Sequence, residues 1–327
     1  MEASPADEAY PVSEEFRKTA HVRSLEEYKA MHHESLQDPG KFWGAIAREL
    51  YWKQPWSKVG PEFNFDHRLG PVSLRWFAGG KTNIAYNALD RHVEAGFGSR
   101  PCMHFEGNDV RDSHRTYTYR DMLDLVSCIG NALREHGVRK GDRVAIYLPM
   151  IVELPATMLA CARIGAVHTV VFGGFSAEAL AGRIQDAQAR ILITADGAMR
   201  GAKPVQLKAI ADDAVEICAA GGFGVERVVV ARRLGATPHA PLLRHEWHPE
   251  RDVWMADFLA GQLRPCAPEW MDSEDPLFML YTSGSTGKPK GVLHTVGGFM
   301  VGTYAGTKYV FDINREDTWF CTADCGW

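Results

Sequence analysis

Residues 143–172, RVAIYLPMIVELPATMLACARIGAVHTVVF, form the stretch of this chain that decides its fold. An apolar run over residues 143–148 stops at Pro149, helical spacing follows over 154–164, and a second apolar run covers 166–172. Short apolar runs bounded by proline and glycine predict buried strands, so the stretch is predicted to be strand, helix, strand. This alternation is typical of a parallel sheet covered by its crossover helices.

The alternation continues on both sides of that stretch. Residues 119–136 have the spacing of an amphipathic helix, and Gly137 is suited to the position just beyond its end. A helix capped by Ser176 is predicted over 176–188, with strands over 190–194 and 226–231. We therefore predict an α/β fold of layered, mainly parallel sheets flanked by helices.

The first part of the chain has a different character. Residues 1–23 are polar, whereas 24–51 carry helical signals in which Ser24 and Glu27 fit a capping box. Residues 55–71 are rich in aromatic residues, glycine and proline, which indicates a loop packed on something larger. We therefore predict a polar tail over 1–23, an N-terminal segment over 24–92 and a larger domain over 93–327.

The composition excludes several classes of protein. The 327 residues are 46% hydrophobic and carry 36 basic and 41 acidic side chains, a net charge of −5, which is ordinary for a globular protein. No basic stripe points to a nucleic acid or an anionic membrane. The seven cysteines include no C-x-x-C pair, and the acidic N-terminus does not resemble a targeting peptide, so we expect a reduced, cytoplasmic protein.

The clearest chemical signal is a loop that follows an apolar strand candidate over residues 276–281. Its ten residues, TSGSTGKPKG over 282–291, contain four hydroxyl groups, three glycines and two lysines. Glycines let backbone N–H groups turn toward an anion, while hydroxyl groups and lysines add donors and charge. The loop therefore predicts a triphosphate-binding site formed by Thr282, Ser283, Gly284, Ser285, Thr286, Gly287, Lys288 and Lys290.

The alternative for this loop is an ordinary Gly/Ser surface turn between strands. A P-loop of the kinase type is excluded, because Gly284 and Gly287 enclose two residues rather than four, and Pro289 follows Lys288. The sequence contains neither the glycine fingerprint of a nicotinamide enzyme nor a hydrolase G-x-S-x-G elbow. The pairs His245/His248 and Cys321/Cys325 lack further ligands at zinc spacing, so no metal site is predicted.

The loop and its flanks, YTSGSTGKPKGV over 281–292, resemble the phosphate-loop signature of the adenylate-forming acyl-CoA synthetase superfamily. Four further stretches resemble the acetyl-CoA synthetases within it: WFAGGKTNIAYNALDRH over 76–92, VVFGGFS over 170–176, AGRI over 181–184 and CTADCGW over 321–327. The first of these is the most discriminating, because it belongs to short-chain acyl-CoA synthetases. The resemblance covers about residue 24 to the last residue.

The resemblance implies a two-step reaction in which acetate and ATP, with Mg²⁺, give an acetyl-adenylate that the thiol of coenzyme A then attacks. The implied partners are these small molecules, with no nucleic acid and no membrane. It also implies that the chain is the N-terminal fragment of a longer enzyme, inactive alone, whose assisting lysine lies beyond Trp327. Coenzyme A would contact Phe172, Gly173 and Gly174 with its adenine, and Arg200 and Lys203 with its 3′-phosphate.

Some implied roles have alternatives. Lys203 stands where the family has a second arginine, which keeps the charge but loses the guanidinium fork, and Arg200 with Lys203 could instead form a solvated basic face. Trp327 would lie at the edge of the acyl pocket, and the acyl group could be propionyl or another short chain rather than acetyl. A non-catalytic, truncated nucleotide-binding module is the alternative function, and an organellar location set by a C-terminal signal beyond Trp327 is the alternative location.

Overall fold

The computed structural model describes residues 11–108, 114–235, 237, 239–244, 246–282 and 289–326. The helices are α1 (Glu14–Thr19), α2 (Leu25–Gln37), α3 (Pro39–Ala47), α4 (Tyr119–Glu135), α5 (Glu153–Ile164), α6 (Ala177–Ala187), α7 (Leu207–Ala220), α8 (Met255–Phe258) and α9 (Val296–Ala305). None of these described helices is both long and apolar enough to cross a membrane. Short 3₁₀ turns lie at His67–Leu69 and Ala240–Leu242, and π-helical turns at Tyr86–Asp90, Val93–Phe97 and Gly306–Val310.

The strands form one large sheet and several two-stranded ribbons. Their bounds are β1 (Glu62–Asn64), β2 (Ser73–Arg75), β3 (Lys81–Thr82), β4 (Pro101–Phe105), β5 (Arg115–Thr118), β6 (Arg143–Tyr147), β7 (Val167–Val170), β8 (Ile191–Ala195), β9 (Ala198–Arg200), β10 (Lys203–Val205), β11 (Arg227–Ala231), β12 (Asp252–Trp254), β13 (Met271–Asp272), β14 (Pro276–Thr282) and β15 (Lys290–Thr295). The large sheet has the order β12-β11-β8-β6-β7-β14-β15. Its neighbours run parallel except β14 and β15, so the predicted α/β class is confirmed.

The order of the strands fixes which helices cover which face. The chain moves from β6 outward to β7 through α5, then returns past β6 to β8 through α6. Crossovers between parallel strands are right-handed, so movement in opposite directions puts α5 and α6 on opposite faces. Accordingly α4 packs on α5, and α6 packs on α7. β6, β8 and β11 are buried almost throughout, because helices cover both faces.

The predicted helix ends are largely confirmed. Gly137 follows α4 with a φ of +88°, a left-handed conformation that glycine adopts without steric strain, and the Ser176 hydroxyl oxygen accepts an α6 backbone N–H at 3.4 Å. Ser24 caps α2 by accepting from the Glu27 N–H at 3.1 Å. The predicted capping box is wrong in its second bond, because the Glu27 carboxylate accepts from the Arg23 N–H at 2.8 Å instead of from Ser24.

Buried polar side chains attach the N-terminal segment to the α/β unit. The Asn83 amide donates to the backbone carbonyls of Ala162, Arg163 and Glu269 at 2.8–3.1 Å. Arg163, at the end of α5, is 2% exposed and forms a two-pronged ion pair with Asp90 at 2.7 and 2.9 Å. Asn83 and Asp90 both lie in the 76–92 stretch that carries the family resemblance.

We expect the Asp90→Ala substitution to lower the free energy of unfolding by about 3 kcal/mol or more, because it leaves the Arg163 guanidinium buried and unpaired. Urea unfolding at neutral pH measures this change. The exposed pair Arg190–Glu226 is the matched control, and Glu226→Ala should cost less than about 1 kcal/mol. Equal losses in the two variants would show that burial does not distinguish the two pairs.

Candidate functional site

The predicted site residues follow strands that end at one edge of the sheet, called here the carboxyl edge. Residues 172–174 come after β7, Arg200 lies in the hairpin after β8, and Thr282 ends β14. The chain leaves β6 toward β7 on one side and reaches β8 on the other. A crevice opens where successive crossovers reverse direction, and ligands of open α/β sheets bind in such crevices.

A side-chain hydroxyl holds the glycine loop after β7 in place through the backbone carbonyls of that loop. The Tyr147 hydroxyl, at the end of β6, donates to the carbonyl of Phe175 at 2.8 Å and approaches that of Gly173 at 3.3 Å. Burial raises the pKa of Tyr147 to about 12, so it remains a donor at neutral pH. A Cβ on Gly174 would lie 2.5 Å from the Phe172 ring, so this position requires glycine while the ring keeps its place.

The basic residues predicted to bind coenzyme A lie on a short hairpin. Arg200 and Lys203 face each other in the β9–β10 register, joined through Gly201 with a φ of +59°. The Arg200 guanidinium carbon lies 5.9 Å from the centre of the Phe172 ring, within the range of a cation–π contact. The fold therefore brings Phe172, predicted to contact the adenine of coenzyme A, close to Arg200, predicted to contact its 3′-phosphate. Both Arg200 and Lys203 are exposed, so the alternative of a solvated basic face stays open.

A buried aspartate that the sequence analysis did not single out fixes the neighbouring loop. Asp196, directly after β8, accepts backbone N–H groups from the next residue and from the loop after β11: Gly197, Arg233, Leu234 and Gly235, at 2.7–2.9 Å. These bonds tie the loop after β11 to the base of the hairpin that carries Arg200. The feature of the sequence that could have identified Asp196 is an aspartate placed directly after an apolar strand.

The predicted phosphate loop connects β14 and β15. Thr282 and Lys290 are partners in that antiparallel register, and both are exposed. Six of the predicted phosphate-binding residues, Ser283, Gly284, Ser285, Thr286, Gly287 and Lys288, lie outside the described residues. The described part therefore shows where the loop leaves and re-enters the sheet, which is the carboxyl edge of β14.

Arg183 lies between β14 and the glycine loop that follows β7. Its guanidinium carbon lies 5.4 Å from the ring centre of Tyr281 and 4.7 Å from that of Phe175. The Tyr281 hydroxyl in turn donates to the Asp186 carboxylate at 2.6 Å, and burial together with this carboxylate raises the tyrosine pKa. Arg183 lies within the AGRI stretch that carried the family resemblance, yet the sequence did not reveal this role.

The end of the last stretch, Cys325 and Gly326, lies against the sheet as well, whereas residues 321–324 are exposed. Gly326 has a φ of +86°, and a Cβ there would lie 2.9 Å from the Val170 carbonyl oxygen at the end of β7. Trp327, predicted to lie at the edge of an acyl pocket, is outside the described residues, as is His245. Within the described ranges, no three His, Cys, Asp or Glu side chains cluster closely enough to hold a metal ion.

A buried histidine on β7 packs against the neighbouring strand β14; these strands lead to the glycine loop and to the predicted phosphate loop. His168 on β7 is 4% exposed and stacks on Phe278 of β14 with 5.4 Å between ring centres. Its Nδ1 has no hydrogen-bond partner among the described residues, and burial lowers the pKa of His168 to about 4. The imidazole is therefore neutral at physiological pH and acts as an apolar ring in the sheet.

Comparison with known proteins agrees with the α/β fold. Residues 89–327 match the sequence model of the AMP-binding enzyme family, and residues 28–88 match that of the acetyl-coenzyme A synthetase N-terminus. The family model covers more than half of the chain. The chain therefore belongs to the AMP-binding enzyme family.

Individual relatives give a more specific comparison than the family model does. The chain is 48% identical over 315 residues to the acetyl-coenzyme A synthetase, chloroplastic/glyoxysomal, of Arabidopsis thaliana, which covers 96% of this chain and 42% of that protein. It is 47% identical to the acetyl-coenzyme A synthetase of Drosophila melanogaster and 46% to that of Rhizobium rhizogenes, covering 49% and 47% of those proteins. The chain thus spans about half the length of the curated relatives it matches.

We expect His168 to make the protein less stable as the pH falls from about 6.5 to 4. An unfolded histidine binds a proton below about 6.5, whereas the buried one resists it down to about 4, so acid favours the unfolded state. Relative to His168→Leu, the native protein should lose about 3 kcal/mol of unfolding free energy over this interval. Urea unfolding across the pH range measures it, and the difference at pH 7.5 gives the packing effect alone. A difference independent of pH would contradict the assignment.

Proposed function

We propose that this protein ligates acetate to coenzyme A through an acetyl-adenylate, converting ATP, acetate and coenzyme A to AMP, pyrophosphate and acetyl-CoA. The observation that carries the proposal is the loop of glycines, hydroxyl groups and lysines between β14 and β15, at the carboxyl edge of an AMP-binding fold. The N-terminal match to acetyl-coenzyme A synthetases and the 46–48% identity support acetate as the acyl substrate. The proposed location is the cytoplasm.

In the first step, an acetate oxygen attacks the α-phosphorus of Mg-ATP and the bond to pyrophosphate breaks. Charge grows on the departing pyrophosphate, and fixed donors aimed at that charge lower the barrier. We assign this work to the loop from Thr282 to Lys290, whose hydroxyl and N–H groups donate while Lys288 and Lys290 carry the opposite charge. The metal ion enters as part of the Mg-ATP substrate.

In the second step, the coenzyme A thiolate attacks the acetyl carbonyl carbon and AMP leaves with the electrons of the broken bond. We assign the coenzyme to the loop after β7 and the β9–β10 hairpin. Phe172, Gly173 and Gly174 would hold the adenine, and Arg200 with Lys203 the 3′-phosphate. The 5.9 Å approach of Arg200 to Phe172 supports a common site, since it puts a cation beside the aromatic ring that would stack on the base.

We expect Lys288→Ala to reduce acetate-dependent ATP–pyrophosphate exchange by about 100-fold or more, because one charged donor to the leaving group is lost. The assay uses protein expressed from the entire reading frame, with propionate as a parallel acyl substrate. Lys58→Ala is the matched control, since Lys58 is exposed and pairs with Glu62 in the N-terminal segment. Unchanged exchange in a folded Lys288→Ala protein would refute the assignment of the loop.

We expect Arg200→Ala to raise the KM for coenzyme A about tenfold while leaving acetate-dependent pyrophosphate exchange intact, because adenylation does not need the thiol. A lost charge-assisted hydrogen bond to phosphate accounts for a change of this size. Arg190→Ala, at the opposite end of β8 from the hairpin, should change neither value. If both half-reactions fell together in Arg200→Ala, the residue would have a structural role instead.

A further inference from the structure

A second candidate site lies away from the carboxyl-edge loops. A cavity of about 600 Å³ opens between the N-terminal segment, the turns over residues 91–97 and the chain that leaves α9. It shares no lining residue with the proposed ATP and coenzyme A sites. The residues that matter for its chemistry are Glu49, Arg91, His92, Phe97, Tyr304, Lys308 and Arg315.

The cavity carries an excess of positive charge. Three lining residues, Arg91, Lys308 and Arg315, are cationic, and Glu49 is the acidic one among them. Glu49 is already engaged, because it accepts from Lys308 at 2.8 Å and from the Tyr304 hydroxyl at 2.6 Å. The Glu49 carboxylate therefore balances the charge of Lys308. No other described residue that lines the cavity is acidic, so the charges of Arg91 and Arg315 are not balanced within it.

Both arginines have unused capacity to bind an anion. Arg91 donates from Nη1 to the Glu49 carbonyl at 3.0 Å, while its buried Nε finds no acceptor among the described residues. Buried donors are almost always hydrogen-bonded, so this Nε calls for an acceptor other than the residues that the structure describes, such as a bound anion. Arg315 lies with its guanidinium carbon 5.5 Å from the Phe97 ring centre, and no described carboxylate pairs with it.

The imidazole of His92 lies close enough to both arginines to be affected by their charges. The pKa of His92 is lowered, first by burial and then by the charges of Arg91 and Arg315. Both guanidinium groups therefore act on the same ring, although Arg91 and Arg315 are more than 200 positions apart in sequence. An anion bound beside that ring would be within reach of both charges.

We propose that this cavity binds a small organic phosphate. Guanidinium groups match the oxygens of a phosphate with paired, charge-assisted hydrogen bonds, and two of them suit a dianion. The cavity is larger than a bare phosphate needs and has the volume of a small-molecule site. Phe97, Tyr304 and Ile313 on its wall provide apolar contact for the organic part of the ligand.

The test is calorimetric titration of the purified protein with phenyl phosphate, with inorganic phosphate and benzoate in parallel. The Lys288→Ala variant is titrated in parallel, so that any binding of the probe to the phosphate loop is recognised as the part that this variant loses. We expect phenyl phosphate to bind more tightly than either of the other two anions. Arg91→Gln and Arg315→Gln should each weaken its binding about tenfold, and Arg190→Gln should not change it.

The titration uses two arginine variants so that its result can be interpreted even if one of them does not fold. Arg315 is exposed, so Arg315→Gln tests the site even if Arg91→Gln does not fold. Undetectable binding of phenyl phosphate, or equal affinity in Arg315→Gln and Arg190→Gln, would overturn the proposal. Benzoate binding as tight as that of phenyl phosphate would overturn the phosphate assignment. None of these outcomes depends on acetate ligation, which is tested separately by pyrophosphate exchange.

Discussion

The parallel strands β6, β7, β8 and β11 are each left by a crossover to another parallel strand, and the candidate site depends on this constraint. A crossover returns the chain to the start of the next strand, so the strands β6, β7, β8 and β11 all end at the same edge. Loops that are far apart in sequence therefore meet at the carboxyl edge. The reversal between β7 and β8 opens the crevice into which the glycine loop and the arginine hairpin project.

Side chains from the sheet and its helices then fix these loops relative to one another. Tyr147 holds the glycine loop by its carbonyls, Asp196 holds the loop after β11 by its N–H groups, and Arg183 lies between the Phe175 and Tyr281 rings. Each of these groups is buried or half-buried, where hydrogen bonds and charge contacts are stronger than in water. The loops are thus positioned before any ligand arrives, which lowers the ordering cost of binding.

The 76–92 stretch shows that a family signature need not line a proposed substrate site. Asn83 holds the carbonyls at the end of α5, and Asp90 neutralises Arg163 at the same place. The next residue, Arg91, belongs to the phosphate cavity proposed above. The stretch therefore attaches the N-terminal segment to the α/β unit, and the division into 24–92 and 93–327 remains a prediction.

The sequence by itself determined the elements and the chemistry of the main loop. Apolar runs, helical spacing and cap residues such as Ser176 and Gly137 are local, so the order of strands and helices followed from them. The glycine, hydroxyl and lysine content of 282–291 likewise predicts an anion-binding loop, and this assignment stays a prediction. The tertiary structure alone decided what depends on distance in space: the approach of Arg200 to Phe172, the position of Arg183, and the shared field of Arg91 and Arg315. Sequence periodicity reports which face of an element is buried, whereas such contacts arise only when the strand order brings distant segments together.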